Sequence, residues 1–522
     1  MLLAPVDLLW NGGIGTYVKA STESHAEIGD RANDPIRVDG RSLRVRVVGE
    51  GGNLGVSQRG RIEAARAGVQ INTDAIDNSA GVGTSDREVN IKILLGALVR
   101  EGTLSIEDRN ALLASMTDEV AVQVLRDNYE QNVLLGNSRA NAAIMLPVHE
   151  RLMETLEARD ELDREIEFLP DRLTVQERVE AGEGLTRPEF AVLVAYAKLA
   201  LKTDLAATDL ADDPWFAGTL AEYFPSALRE RFGERLAEHP LRREIIVNTV
   251  VNSMVNRGGI TFADRAAAET GATAEQIARA YVAAREIFDL RGFVVAVEAT
   301  DNLVDTATQT RLYLDFRRLL DRAARWFVQH RSEGVDIGAE IARFAEPVRI
   351  LSERLAGFFH GDEAAQFAAR QAALAAAGVP APLAHRGAGL LEALRLLDVI
   401  ELAQARGWDL EDVARTYFLL SGEIRFDDLL TSVSELPQDD SWQSMARASL
   451  RDDLYAVLVD LTASVQTHAG DLELDRRYSS WLDGGGSTAQ RAAAALAAAS
   501  AVPHPSIAVL SVALRRLRSL VR

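Results

Sequence analysis

The sequence predicts the rear part of a parallel α/β domain followed by a long, mainly α-helical region. Two observations carry this reading. Near the amino terminus, short apolar runs end in loops rich in Gly and Asn, and an amphipathic helical pattern stands between two of them. From residue 85 onward the apolar spacing becomes helical and helix-start signals recur without a comparable strand-rich interval. Three strands are few for such a sheet, which leads us to expect that the rest of it precedes residue 1.

The elements follow in order. Val6–Trp10 reads as a strand ended by "NGGIG", and "LRVRVVGE" over 43–50 as a second strand ended by "GGNLG". Ser57 opens a short helix, "SQRGRIEAARAG", which Gly68 closes. "VQINTDAI" over 69–76 reads as the third strand. Ser85 with Glu88 reads as a capping box for "DREVNIKILLGALV", and Ser105 caps the next helix with Glu107 and Asp108 in its first turn. Helical patterns then cover 117–135, 151–170, 217–330 and 337–406, with Thr186-Arg-Pro-Glu189 a well-formed box ahead of "FAVLVAYAKLALKTDL". Beyond 470 a glycine hinge and an alanine-rich helix are expected over 484–500, and a basic amphipathic helix, placed on its own domain, from Val512. The expected domains are therefore 1–100, 101–480 and 481–522.

Composition narrows the function classes. With 57 basic against 77 acidic residues the net charge is −20, which argues against nucleic acid or an anionic membrane as the main partner. There is no cysteine, hence no disulfide, thiolate nucleophile or cysteine metal site. "MLLAPVDLLWNGG" has neither the basic start nor the apolar length of a signal peptide or membrane span, and a cytoplasmic location is expected. The 8 histidines share no metal spacing, and neither G-x-G-x-x-G nor a P-loop occurs, so no metal is expected.

The candidate site comes from position. Asn11 and Gly12 follow the first strand, Gly51, Gly52 and Asn53 the second, and Asn78 and Gly81 the third. Parallel neighbours would bring all three loops to one rim, where α/β ligand sites lie. Glycine lets a sugar or phosphate approach the backbone, and Asn can both donate and accept. A helix beginning at Ser85 would add free N–H groups suited to a carboxylate. Asn248, Asn252 and Asn256 form one polar stripe at helical spacing, read chiefly as structural.

"PVDLLWNGGIGTYVKAS", "VVGEGGNLGVSQRGRIE" and "NTDAIDNSAGVGTSDREVNIKILL" closely resemble the large bacterial NAD-specific glutamate dehydrogenases. "LTRPEFAVLVAYAKLAL", "YFPSALRERF" and "HPLRREIIVNTVVNSMVNRGGITF" resemble the helical carboxyl-terminal region of the same proteins. The resemblance implies a Rossmann-like NAD-binding domain and NAD-dependent oxidative deamination of L-glutamate to 2-oxoglutarate and ammonia, by a homo-oligomer. It puts Asn53 and Asn78 on the coenzyme and Ser85 on a substrate carboxylate. Gly52, Ser79, Ala80 and Asp86 depart from the pattern of the smaller glutamate dehydrogenases. It also implies that the catalytic lysine and aspartate precede residue 1, so no catalytic residue is assigned and the chain alone is expected to be inactive. A dehydrogenase of another amino acid, and a non-catalytic helical assembly module, are the alternatives.

Overall fold

The computed structural model describes residues 1–436, 441–469, 471–486, 491, 494, 502 and 504–521. They form two compact units, Met1–Ala268 with Ala272–Arg279, and Glu269–Gly271 with Ala280–Arg522.

In the first unit, β1 (Leu8–Asn11) pairs in parallel with β4 (Val47–Glu50), in a register running from Leu8 opposite Val47 to Asn11 opposite Glu50. A second parallel pair joins β2 (Val18–Lys19) to β3 (Val38–Asp39). The expected third strand is reduced to one parallel bridge between Val47 and Gln70. There Gln70 N donates to Arg46 O at 2.9 Å and Gln70 O accepts from Val48 N at 3.0 Å. Beyond it the polar run turns helical over Asp74–Asp77, since the amides of Ile76 and Asp77 both bond back to Thr73 O. β4 therefore has a backbone partner on each side, with only one bridge on the far side.

Side chains alternate across this sheet. Leu9 and Val48 face a core of Val18, Leu43, Val45, Val56, Ala64, Val69 and Ile71. Leu8, Trp10 and Val47 take the opposite face and are exposed. The helix Gln58–Arg66 covers the core side; Ser57 caps it, its Oγ accepting from Gly60 N at 3.1 Å, and Gly68 follows at a positive φ of 99°.

Two helix boundaries differ from the sequence reading. The helix expected at Ser85 runs from Ser79 to Arg100, so the Ser85–Glu88 capping box does not form and Glu88 pairs instead with Lys92. Tertiary contact overrides the low helix propensity of Gly81 and Gly83. Asn128 donates to Ile76 O at 2.8 Å and to Ser79 Oγ at 2.9 Å, and Gly83 lies against Val124, both from the helix Thr117–Ala140. The charged stretch 151–170 is helical only as far as Ala158, in the helix Ala142–Ala158. Asp160 then takes a positive φ of 56°, and the chain folds back to bury Arg164 against Glu150 (2.7 Å) and Glu157 (2.9 Å). The Ser105 cap and the Thr186–Glu189 box form as predicted.

Among the described residues no strand occurs after Glu50. The second unit is built from helices that include Thr306–His330, Leu396–Arg406, Leu410–Glu423 and Ser441–Ala469. Its most buried cation, Arg395, is held by Glu363 at 3.1 Å, Ser421 at 2.9 Å and Asp427. Most of the expected hinge and alanine-rich helix over 484–500 lies outside the described residues. The basic terminal helix, Ile507–Arg518, buries Leu510, Leu514 and Leu517 within its own unit, and Arg518 pairs with Asp453. Among the described residues no helix is long and apolar enough to cross a membrane.

Candidate functional site

The parallel register ends β1 and β4 side by side, and the two loops that follow are bonded together. Asn11 O accepts from Gly51 N at 2.9 Å and from Gly52 N at 3.1 Å. The loop glycines accommodate the protein's own groups. A Cβ on Gly49 would lie 2.8 Å from the Trp10 ring, and one on Gly51 2.6 Å from it. At Gly52 it would meet Gly13 O at 2.4 Å, and at Gly55 it would overlap the Asn11 amide. Close approach is thus required at all four positions, by neighbouring chain rather than by an added molecule.

The loop is fixed from below by a buried polar network. Glu50 is 0% exposed; its carboxylate accepts from Arg61 Nε at 2.7 Å, from Arg61 Nη2 at 3.0 Å and from Val56 N at 3.1 Å. Burial pushes the Glu50 carboxyl above its ordinary range, and Arg61 opposes that shift. Asp77 Oδ2 accepts from Glu50 N at 2.9 Å, and Asp74 Oδ2 accepts from Leu54 N at 2.8 Å. Leu54, with φ 55°, is held left-handed at this point. Burial also raises Asp77, opposed by its bond from Asn72 Nδ2 at 2.7 Å. Asn72 and Asn132 complete the network by accepting from Arg187 at 2.9 and 3.3 Å. Burial lowers the pKa of Arg187, with Arg139 adding to the shift.

Residues 1–138 match the family model for the bacterial NAD-glutamate dehydrogenase catalytic domain, and residues 182–519 match that for the glutamate dehydrogenase carboxyl-terminal region. The chain belongs to the bacterial NAD-specific glutamate dehydrogenase family. It is 46% identical to the NAD-specific glutamate dehydrogenase of Mycobacterium tuberculosis and 40% identical to that of Pseudomonas aeruginosa, over 100% of this chain and 32% of each relative. Identity to the corresponding protein of Halomonas elongata is 42%, over 92% of this chain and 30% of the relative. The chain therefore spans about a third of the length of the curated relatives it matches.

Within this family member the three predicted loops do converge. Asn11 and Gly12 adjoin Gly51 and Gly52 through the Asn11 carbonyl, and Asp74 and Asp77 tie the segment before Asn78 to the second loop. Gly12, Asn53 and Gly81 are exposed, and Asn78 is half-buried. Asn78 stands before the helix Ser79–Arg100 without a side-chain cap bond, and its Oδ1 would be 2.4 Å from a Cβ on Gly81. The free N–H groups predicted at Ser85 belong instead to the turn beginning at Ser79. Ser85 is exposed and lies within the helix, roughly 9 Å along its axis from Ser79. Of the asparagine stripe, Asn248 is exposed, Asn252 half-buried and Asn256 buried, the last in the π-helical turn Met254–Gly258.

The supporting groups Arg61, Asn72, Asp74, Asp77, Asn132 and Arg187 were not singled out from sequence. One signal was available: Asn128 and Asn132 repeat at i, i+4 within the helical pattern of 117–135. Among the described residues no cluster of His, Cys, Asp and Glu could hold a metal ion.

Proposed function

We propose that this chain forms the coenzyme rim and the helical carboxyl-terminal region of an enzyme that oxidatively deaminates L-glutamate to 2-oxoglutarate and ammonia with NAD. The observation that carries the reading is the convergence of the Asn11, Gly51–Asn53 and Asn78 loops at one end of a parallel strand pair, in the segment matched to the catalytic domain. The site suits a coenzyme amide or ribose. Asn11 Nδ2 is buried without a hydrogen-bond partner, a Cβ on Gly13 would point into open space, and the turn at Ser79 has uncapped donors. NAD, when bound, supplies the hydride acceptor.

The roles given to this chain are positioning roles. Asn53 and Asn78 orient the coenzyme, and Gly12, Gly51, Gly52 and Gly81 let the loops pack closely enough to present those asparagines at the rim. The Glu50–Arg61 pair holds the loop that carries Asn53. Ser85 is assigned a substrate carboxylate through its hydroxyl. Proton transfer and carbonyl polarisation are assigned to no residue of this chain.

The test uses the full-length enzyme. Asn78→Ala should raise the KM for NAD by about 2–10-fold, the loss of one hydrogen bond, and leave that for glutamate nearly unchanged. Ser85→Ala should do the reverse. Interchanged effects would reject both assignments, and higher kcat/KM for another amino acid in a substrate panel would reject glutamate.

A further inference from the structure

Within the second unit, the helices Thr306–His330, Leu396–Arg406 and Ser441–Ala469 enclose a cavity of about 850 Å³, within the range that small organic ligands fill. One wall carries Arg322, Arg325 and Arg451; Trp326, Leu402 and Tyr455 add apolar surface. Arg447 stands beside this group, its Nη1 donating to Ser434 O at 3.4 Å.

The positive charge of this wall is unevenly compensated. Arg325 pairs with Asp321 at 3.1 Å and Glu269 at 2.8 Å. Among the described residues Arg322 and Arg451 have no carboxylate partner, and Arg451 Nε is buried without a hydrogen bond. Most acids around the cavity are bonded to other partners, while the charge of Asp452 also offsets part of that of Arg451. Glu401 binds Arg331 at 2.9 Å and Arg343 at 3.3 Å, and Asp453 binds Arg518. Asp398 accepts from Trp326 Nε1 at 2.7 Å, and Asp452 from Gln329 Nε2 at 2.8 Å. Arg406 and Asp460, one of each sign, are exposed at the rim. Burial first, and then the charge of Arg322, weakens the hold of Arg451 on its proton; burial and then Arg451 do the same to Arg447. Like charges gathered in a half-buried cavity cost stability unless an anion joins them.

We propose that this cavity binds a small organic dianion, its phosphate or paired carboxylates taken by Arg322 and Arg451 and its apolar body lying against Leu402 and Tyr455. Two forks present the donors that a phosphate or a carboxylate pair accepts, and with no carboxylate paired to either guanidinium both are free to engage a dianion. The volume far exceeds that of an inorganic ion, so an attached apolar body is part of the recognition. The site lies in the second unit, whereas every rim residue assigned above lies in the first.

The test is isothermal titration of the 522-residue chain with phenyl phosphate, phthalate and inorganic phosphate, beside Arg322→Gln, Arg451→Gln and the double variant. Saturable binding of phenyl phosphate or phthalate is expected, and whichever binds tighter identifies the anionic group. Each single variant should weaken it by at least about tenfold, the loss of a charge-assisted donor. Inorganic phosphate should bind more weakly than phenyl phosphate. Without anion, the variants should melt at a higher temperature than the parent, because a repulsive charge has gone. Undiminished binding in the double variant, no binding of any probe at about 10 mM, or a lowered melting temperature would each overturn the proposal.

Discussion

Replacing Arg61 with methionine should destabilise the first unit by about 3–5 kcal/mol, the range for removing one partner of a buried ion pair. The structure supports the upper part of that range. Glu50 is fully buried and would lose its bonds of 2.7 and 3.0 Å to the guanidinium, keeping only the 3.1 Å bond from Val56 N on its carboxylate. Asp74 would lose its 3.2 Å contact with the same group. Urea unfolding, read by hydrogen exchange at Val48 and Val56, localises the loss to the loop. The pH dependence is a second check. Burial already raises the folded-state Glu50 carboxyl above its ordinary range, and without Arg61 it rises further. A raised acid contributes stability that is present below the unfolded pKa and lost as pH rises through the folded one, so the deficit should shrink on acidification. Adding Glu50→Gln should recover part of the loss at pH 7, because an amide needs no counter-charge. A deficit below about 1 kcal/mol, typical of a solvated surface pair, with no dependence on pH, would refute the argument that this pair is desolvated.

Gly52→Ala should cost about 1–3 kcal/mol in a denaturant titration, because its Cβ would stand 2.4 Å from Gly13 O and the obstacle is backbone. His149 is buried beside Phe190, and burial, with Arg265 nearby, lowers its pKa to about 4. A depressed histidine leaves the unfolded chain binding more protons below about pH 6.5. Stability should therefore fall by up to roughly 3 kcal/mol as pH drops from there through about 4. His149→Phe should flatten that part of a melting-temperature profile; an unchanged profile would place the proton elsewhere. The chain by itself should produce no NADH from glutamate and NAD in an absorbance assay, since hydride transfer needs a polarising group and an acid held to sub-ångström tolerance. Robust turnover would require a catalytic group among residues given only positioning roles.

Features set by neighbours in sequence could be read directly. Ser57, Ser105 and the Thr186–Glu189 pair act within one turn, so the residue types suffice to place the helix starts. Ser85 offered the same local signal and failed, because Asn128 and Val124 stabilise an earlier start at Ser79. That contact spans the chain from 79 to 128 and leaves no trace in the local sequence around Ser79. The 69–76 segment alternates like a strand, yet only Gln70 bridges to β4 before Thr73 begins a helical turn. The site followed the same division. Its glycines and asparagines were legible as loop residues, whereas the reason for the glycines, the Trp10 indole over Gly49 and Gly51, depended on the register of two strands. Arg187 lies 115 residues from Asn72, and nothing in either local sequence joins them.

The two hydrogen bonds that Gly51 N and Gly52 N donate to the Asn11 carbonyl, with Asp74 and Asp77 holding Leu54 N and Glu50 N, have an entropic consequence. Fixing one residue's backbone costs about 1–2 kcal/mol of conformational freedom. For residues 50–54 that cost falls on folding, because these bonds are made within the chain. A molecule docking against this loop meets a surface already fixed in shape, and its affinity is not reduced by the need to order the loop. Discrimination at this edge then rests on fit to a set outline, with partners that need a different loop path excluded by the stiffness of the backbone itself.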